Sequence, residues 1–103
     1  MKIKIGCYTY EIKEVEEVII NGSNNYIGSV SYDDLEIKLK NNLKKEIKEQ
    51  AFLHEVCHTI LKYFNLDITE NEIIVDLLAC GLYSFVKDNY KIDLLGELNK
   101  NDE

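Results

Sequence analysis

A chain of 103 residues, of which 46% are hydrophobic and 30% charged, has the size and balance of one small globular domain. This composition excludes an intrinsically disordered chain, and the net charge of −7 opposes binding to nucleic-acid phosphates, which attract lysine and arginine. We therefore expect a single domain over residues 1–103, a protein or peptide as substrate or partner, and neither nucleic acid nor a membrane as partner. The sequence leaves the oligomeric state open.

Two features bear on where the protein is found in the cell. Its apolar runs are far shorter than the roughly 20 residues that cross a bilayer, and residues 1–5 lack the apolar core of a signal peptide. The cysteines are odd in number and have no CxxC spacing, which predicts reduced thiols; they are Cys7, Cys57 and Cys80. Together these features predict a cytoplasmic protein.

Residues 2–40 have the pattern of short strands. Apolar and polar residues alternate in places over residues 2–20, and residues 21–25 are rich in Asn, Gly and Ser, which predicts a turn or exposed loop. Two further segments, 26–32 and 35–39, are joined by a pair of aspartates and predict a hairpin. We expect a small antiparallel sheet of about three strands in this part of the chain.

Two helices are predicted after the strands. Apolar residues recur at helical spacing over about residues 44–64, and the pair Asn41–Asn42 offers an N-cap. A second helix is predicted over about residues 69–89, because Thr69 and Glu72 match the first and fourth positions of the S/T-x-x-E capping box. A short turn makes the helices antiparallel, and the polar C-terminal tail is expected to fray. The predicted fold class is therefore α+β.

The first predicted helix contains the motif His54-Glu55-x-x-His58. Histidines four residues apart lie one turn apart on one helix face, where both imidazoles can bind one Zn²⁺. Glu55 points about 100° round the helix, so it can reach a metal-bound water and act as the general base. The alternative is two incidental histidines on an amphipathic helix. Because the motif contains both histidines of the chain, we favour a zinc site.

A catalytic zinc site needs a third protein ligand and leaves its fourth position to water. The second predicted helix offers Glu72 and Asp76, which are four residues apart and lie on one face near the level of the histidines. Either acid can bind the metal on this argument, and Glu72 can instead cap its helix. Cys57 and Cys80 are weaker candidates, since free cysteine usually behaves as a small buried hydrophobic residue.

The motif residues resemble the gluzincin arrangement HExxH…NExxxD, with His54-Glu55-x-x-His58 followed by Asn71-Glu72-x-x-x-Asp76. The resemblance implies that Glu72 is the third zinc ligand and that Asp76 bonds the outer nitrogen of a ligand histidine. The spacing between His58 and Glu72 is shorter than is usual in that family, so Asp76 stays an alternative ligand. Over about residues 26–89 the order of elements is also similar to ImmA/IrrE-type metallopeptidases and small phage-encoded zincin-like proteins, which implies a minimal zincin.

The predicted function is that of a zinc metallopeptidase, in which Glu55 activates water for the hydrolysis of a peptide bond. An extended substrate is expected to pair with an edge of the sheet, and the strand at residues 35–39 is the hypothesis for that edge. The alternative is a non-catalytic protein of a phage or mobile element that is stabilised by zinc and modulates a host or repressor protein. The small size of the chain motivates this alternative, because it leaves little surface for a substrate cleft.

Overall fold

The structure of the protein is a computed structural model, which describes residues 1–64, 71–91 and 96. Its elements in chain order are β1 (Lys2–Ile5), β2 (Tyr8–Val15), β3 (Val18–Ile20), β4 (Ser23–Tyr26), β5 (Gly28–Ser31), β6 (Glu36–Lys40), α1 (Lys45–Tyr63) and α2 (Glu72–Asn89). The predicted α+β class is confirmed, and both helices lie close to their predicted bounds. No helix in the described parts of the chain is long and apolar enough to cross a bilayer.

Four strands form a mixed sheet in the order β1-β2-β6-β5. β1 and β2 form an antiparallel hairpin that turns at Gly6, whose φ of 60° is a conformation that glycine adopts readily. The hairpin predicted from residues 26–32 and 35–39 is present as the antiparallel pair β5 and β6. β2 and β6, however, are parallel, with Ile12 aligned with Ile37. The prediction of an antiparallel sheet of about three strands is therefore wrong.

The parallel pair is possible because a long connection separates its two strands. Parallel neighbours need a crossover of about a dozen or more residues, and residues 16–35 provide it. Within this crossover β3 and β4 form a separate antiparallel sheet, joined by a tight turn with positive φ at Asn21 and Gly22. The predicted loop at residues 21–25 is thus a two-residue turn followed by the start of β4. Alternation in a sequence indicates strands and their faces, but not the direction in which they pair.

α1 lies between the sheet and α2 and contributes to two cores. The buried apolar residues of the core shared with the sheet are Tyr10, Ile37, Leu39 and Ala51. Those of the core shared with α2 are Cys57, Leu61, Val75 and Ala79. One face of α1 packs against the sheet and another packs against α2. A residue of α1 that lies between these two faces is therefore close to both the sheet and α2. His54, Glu55 and His58 occupy such positions.

The helix caps differ from those predicted. Lys44 is the N-cap residue of α1 and makes no side-chain capping bond, so the predicted cap at Asn41–Asn42 is wrong. In α2 the side chain of Asn71 accepts a hydrogen bond of 3.2 Å from the backbone N–H of Ile74. Glu72 is the first helical residue, whereas a capping box that starts at Thr69 would place it three residues after the cap. The Glu72 carboxylate is consequently free of that capping role.

Two predictions about the ends of α2 fall outside the described residues: the conformation of Thr69 and most of the polar tail after Lys91. The hypothesis that the strand at residues 35–39 is a sheet edge is wrong, because β6 lies between β2 and β5 and pairs with both. The edges of this sheet are β1 and β5, and β5 lies against α1. Unpaired backbone groups are available only along such edges.

Candidate metal centre

His54 and His58 lie one turn apart on α1, and their rings meet edge to face with centroids 4.9 Å apart. Their side chains are largely buried, with 18% of the His54 side chain and 11% of the His58 side chain exposed. The helical spacing explains this arrangement, because residues four apart lie on the same face of a helix. Both imidazoles therefore point from α1 toward the first turn of α2.

Glu72 lies between the two histidines. Its Oε2 is 2.9 Å from Nε2 of His54, and its Oε1 is 2.9 Å from Nε2 of His58. An ionised carboxylate can only accept hydrogen bonds, so an imidazole that carries its proton on Nε2 donates it to the Glu72 oxygen that faces it. The cap at Asn71 starts α2 at the residue that supplies this carboxylate.

The donor set of these three residues fits a zinc ion. One ligand atom from each of His54, His58 and Glu72 lies within 4.8 Å of the others. Zinc bonds of about 2.0–2.2 Å in a tetrahedron place ligand atoms roughly 3.3 Å apart, so small side-chain adjustments suffice. Two imidazoles and one carboxylate are also a ligand set that leaves a fourth position for water. Metal binding uses the lone pairs of both Nε2 atoms, so it would release any proton held there.

Asp76 lies one turn after Glu72 and contacts a different atom of the same histidine. Its Oδ1 is 3.3 Å from Nδ1 of His54, the ring nitrogen that faces away from the Glu72 contact. A carboxylate at this position orients the imidazole and favours the tautomer that leaves Nε2 available to a metal. The geometry therefore gives the two acids different positions, with Glu72 in the cluster and Asp76 behind His54.

Glu55 is buried beside the cluster, with 8% of the residue exposed. Burial raises the pKa of its carboxyl group to about 7; the positive charge of nearby His54 opposes this rise, and the negative charge of Glu72 adds to it. A carboxyl group with a pKa near neutrality can both accept and donate a proton at physiological pH. Glu55 thus has the location and the protonation behaviour of a proton-transfer group.

Gly28, the first residue of β5, lies against Glu55. It is not among the site residues that were predicted from the sequence. A Cβ atom at Gly28 would lie 3.2 Å from Oε2 and 3.3 Å from Cγ of Glu55. A glycine inside a strand pattern often marks a close approach of another group, and that signal was present in the segment 26–32. The absence of a side chain at Gly28 leaves space for the Glu55 carboxyl group.

The cluster lines a groove of about 890 Å³ that is bordered by α1, α2 and strands β3–β6. One part of the groove carries exposed apolar side chains, namely Ile19, Tyr26, Ile27 and Ile47. β5 runs along the groove as a sheet edge, and all four of its residues line the groove. The groove therefore joins a cluster of potential metal ligands to a strand edge that pairs with no further strand in the described parts of the chain.

Neither cysteine near the cluster belongs to it. Cys57 is buried in the core between α1 and α2, where burial raises the pKa of its thiol. The sulfur of Cys80 accepts a hydrogen bond of 2.6 Å from the side-chain amide of Gln50. Within the described residues, the group of potential metal ligands contains neither of them.

Comparisons with known proteins add little to this geometry. No protein-family profile and no solved structure matches the chain. Among curated proteins it is similar to a cytoplasmic dynein heavy chain of Paramecium tetraurelia, with 27% identity over 115 aligned positions. The alignment covers the whole of this chain but only 2% of that protein. This similarity assigns neither a family nor an activity to the chain.

Proposed function

We propose that the protein is a zinc-dependent metallopeptidase with a minimal zincin arrangement. The observation that carries this proposal is the convergence of His54 and His58 from α1 with Glu72 from α2, so that one ligand atom of each lies within 4.8 Å of the others. The burial of Glu55 next to this cluster supports a catalytic role rather than a purely structural one. The same cluster also fits the resemblance to gluzincins.

Each residue has a distinct role in the proposed reaction. His54, His58 and Glu72 would hold the metal, and Asp76 would orient His54 through its Nδ1 atom. When bound, zinc lowers the pKa of a coordinated water to about 7 and polarises a peptide carbonyl. Glu55 would take the proton from the attacking water and deliver it to the leaving amine nitrogen.

An extended peptide would bind along β5. This strand is a sheet edge, it lines the groove, and it begins at Gly28 beside Glu55. Backbone hydrogen bonds to an edge strand hold a peptide in an extended conformation without requiring a particular sequence. The substrate edge proposed here is therefore β5, in place of the interior strand at residues 35–39.

The zinc and the activity can be tested together. Purified wild type should contain about one zinc per chain by elemental analysis and should cleave an unstructured probe such as casein or a mixed peptide library. His58→Ala should lose the metal, because it removes one of three ligands. Glu55→Gln should keep the metal and lose cleavage, because the amide cannot accept the proton of water.

Glu49→Gln is the matched control for Glu55→Gln, since it makes the same change at an exposed position of α1 away from the cluster. It should keep both zinc and activity. Wild type that binds no zinc would contradict the proposal as a whole. A Glu55→Gln protein that binds zinc and cleaves as fast as wild type would contradict the catalytic role.

A second candidate is a non-catalytic, zinc-stabilised protein that binds and modulates another protein. The packing of α2 favours it, because only two residues of this helix, Val75 and Ala79, are buried, and both are small. A metal ion held by both helices would therefore contribute much of the stability of their packing. For this function Glu55→Gln would keep the biological effect, whereas His58→Ala would lose it.

A further inference from the structure

The face of α2 that points away from α1 is apolar. Six large apolar side chains on this face are between 37% and 74% exposed; they are Ile73, Ile74, Leu77, Leu78, Leu82 and Phe85. We call them the outer face of α2. A surface helix normally presents polar side chains to water, and a helix that is apolar on all sides is normally buried. The outer face therefore has the composition of an interface.

Charged side chains are absent from the middle of this helix. Residues 77–86 contain none, and the acids at the start of α2, Glu72 and Asp76, contact the histidines of α1 instead. Two copies of a chain with a net charge of −7 repel each other, but salt screens charges beyond about 8 Å at physiological ionic strength. An interface between two outer faces would bring no like charges into direct contact.

The outer face also has open space at its centre. Gly81 lies at its centre, and no heavy atom lies within 4 Å of a Cβ placed there. Phe85, one turn further along, is the largest side chain of the face and is 52% exposed. If two α2 helices pack antiparallel about a two-fold axis, Phe85 of each copy lies against Leu78 and Gly81 of the other.

The area of the face is sufficient for a dimer. Six side chains with these exposures present roughly 500 Å² of apolar surface per copy, near the upper end of what monomers leave uncovered. Two such faces would remove about 1,000 Å² from water, which is the lower limit for a specific interface. Burial of that area is more favourable than its exposure in a monomer.

We propose that the outer face of α2 is the interface of a homodimer, in which two copies pack this helix antiparallel about a two-fold axis. The metal cluster lies on the side of α2 that faces α1, so both grooves stay open in the dimer. Because α2 buries only Val75 and Ala79 within its own chain, the second copy would also hold in place the helix that supplies Glu72. The proposal does not depend on metal binding or catalysis.

The oligomeric state of the full chain tests this interface. Sedimentation velocity of wild type over roughly two decades of concentration should show a species with twice the chain mass of 12.0 kDa, in a concentration-dependent equilibrium. Leu78→Glu and Phe85→Lys should each raise the Kd of the dimer at least about 100-fold. Both copies carry the substitution, so each variant dimer would bury two charges that have no partner. Ile19→Glu, which changes a 62% exposed apolar residue on β3, should leave the dimer intact.

Mixing the two charged variants separates loss of the interface from loss of folding. In a heterodimer of Leu78→Glu with Phe85→Lys, the new Glu and Lys would meet once, and the other contact would remain Leu78 against Phe85. Equimolar mixing should therefore restore a dimer that neither variant forms alone. The proposal is overturned by wild type that stays monomeric at every concentration, by charged variants that dimerise like wild type, or by a mixture that does not associate.

Discussion

Glu55 illustrates how the fold changes the chemistry of a single carboxyl group. Burial raises its pKa from 4.5 to about 7, so the ionised form is unfavourable in the metal-free protein at neutral pH. A group whose pKa is higher in the folded state contributes stability below its unfolded pKa, and this contribution is lost as the pH rises through the folded pKa. Without a cation nearby, ionised Glu55 therefore destabilises the fold.

We predict that Glu55→Gln stabilises the metal-free protein, because the amide stays neutral. The free energy of unfolding should exceed that of wild type by about 3 kcal/mol above pH 7, and the difference should fade as the pH falls toward 4.5. Urea unfolding in the presence of a chelator, repeated across this pH range, measures the effect. Glu16→Gln, at an exposed position, should show no such pH-dependent difference; equal profiles for the two variants would contradict the prediction.

Gly28 affects the position of Glu55, because the absence of a side chain at Gly28 leaves space for the Glu55 carboxyl group. Gly28→Val should displace that carboxyl and lower peptide cleavage about 100-fold, as displacements near 1 Å commonly do, while the zinc content stays unchanged. Rates on a peptide substrate and elemental analysis give both readouts. Thr9→Val, which introduces the same side chain at an exposed position of β2 outside the groove, should keep the wild-type rate. Full activity in Gly28→Val would mean that Glu55 does not need its present position.

At the scale of elements, α2 brings two acids to different nitrogens of His54. Glu72 contacts Nε2 and Asp76 contacts Nδ1, which is why we propose the first as a ligand and the second as a group that orients the ring. Asp76→Ala should weaken zinc binding about 10- to 100-fold, and Glu72→Ala should weaken it further. Competition with a chromogenic chelator measures both affinities. Asp88→Ala, at the far end of α2, should bind zinc like wild type; a larger loss for Asp76→Ala than for Glu72→Ala would exchange the two roles.

Only part of this arrangement of histidines and acids depends on local sequence. The i, i+4 spacing of the histidines places them on one face of any α-helix, so their proximity follows from the sequence alone. The same reasoning puts Glu72 and Asp76 on one face of α2 but cannot determine which nitrogen each acid reaches. That depends on the start of α2 at Glu72 and on how the two helices pack.

For the whole molecule, the candidate ligands come from two helices that share a small core. A ligand that binds only the folded state raises its stability by about 2.7 kcal/mol at a concentration 100 times its Kd. Zinc at that excess should therefore raise the unfolding midpoint of wild type, and His58→Ala should gain nothing. Thermal unfolding with zinc, with magnesium and with a chelator tests this expectation. An equal rise for wild type and His58→Ala would place the stabilising zinc at another site.

The local features of this protein could be predicted from its sequence. The α+β class, the two helices, the β5–β6 hairpin and the shared face of His54 and His58 all follow from spacing and alternation, which act over a few residues. The parallel pairing of β2 with β6 and the edge position of β5 were visible only in the folded protein. The same holds for the space at Gly28 and for the contacts of Glu72 and Asp76 with His54. These features depend on contacts between segments far apart in the chain, and no local pattern records which distant segments meet or in which direction.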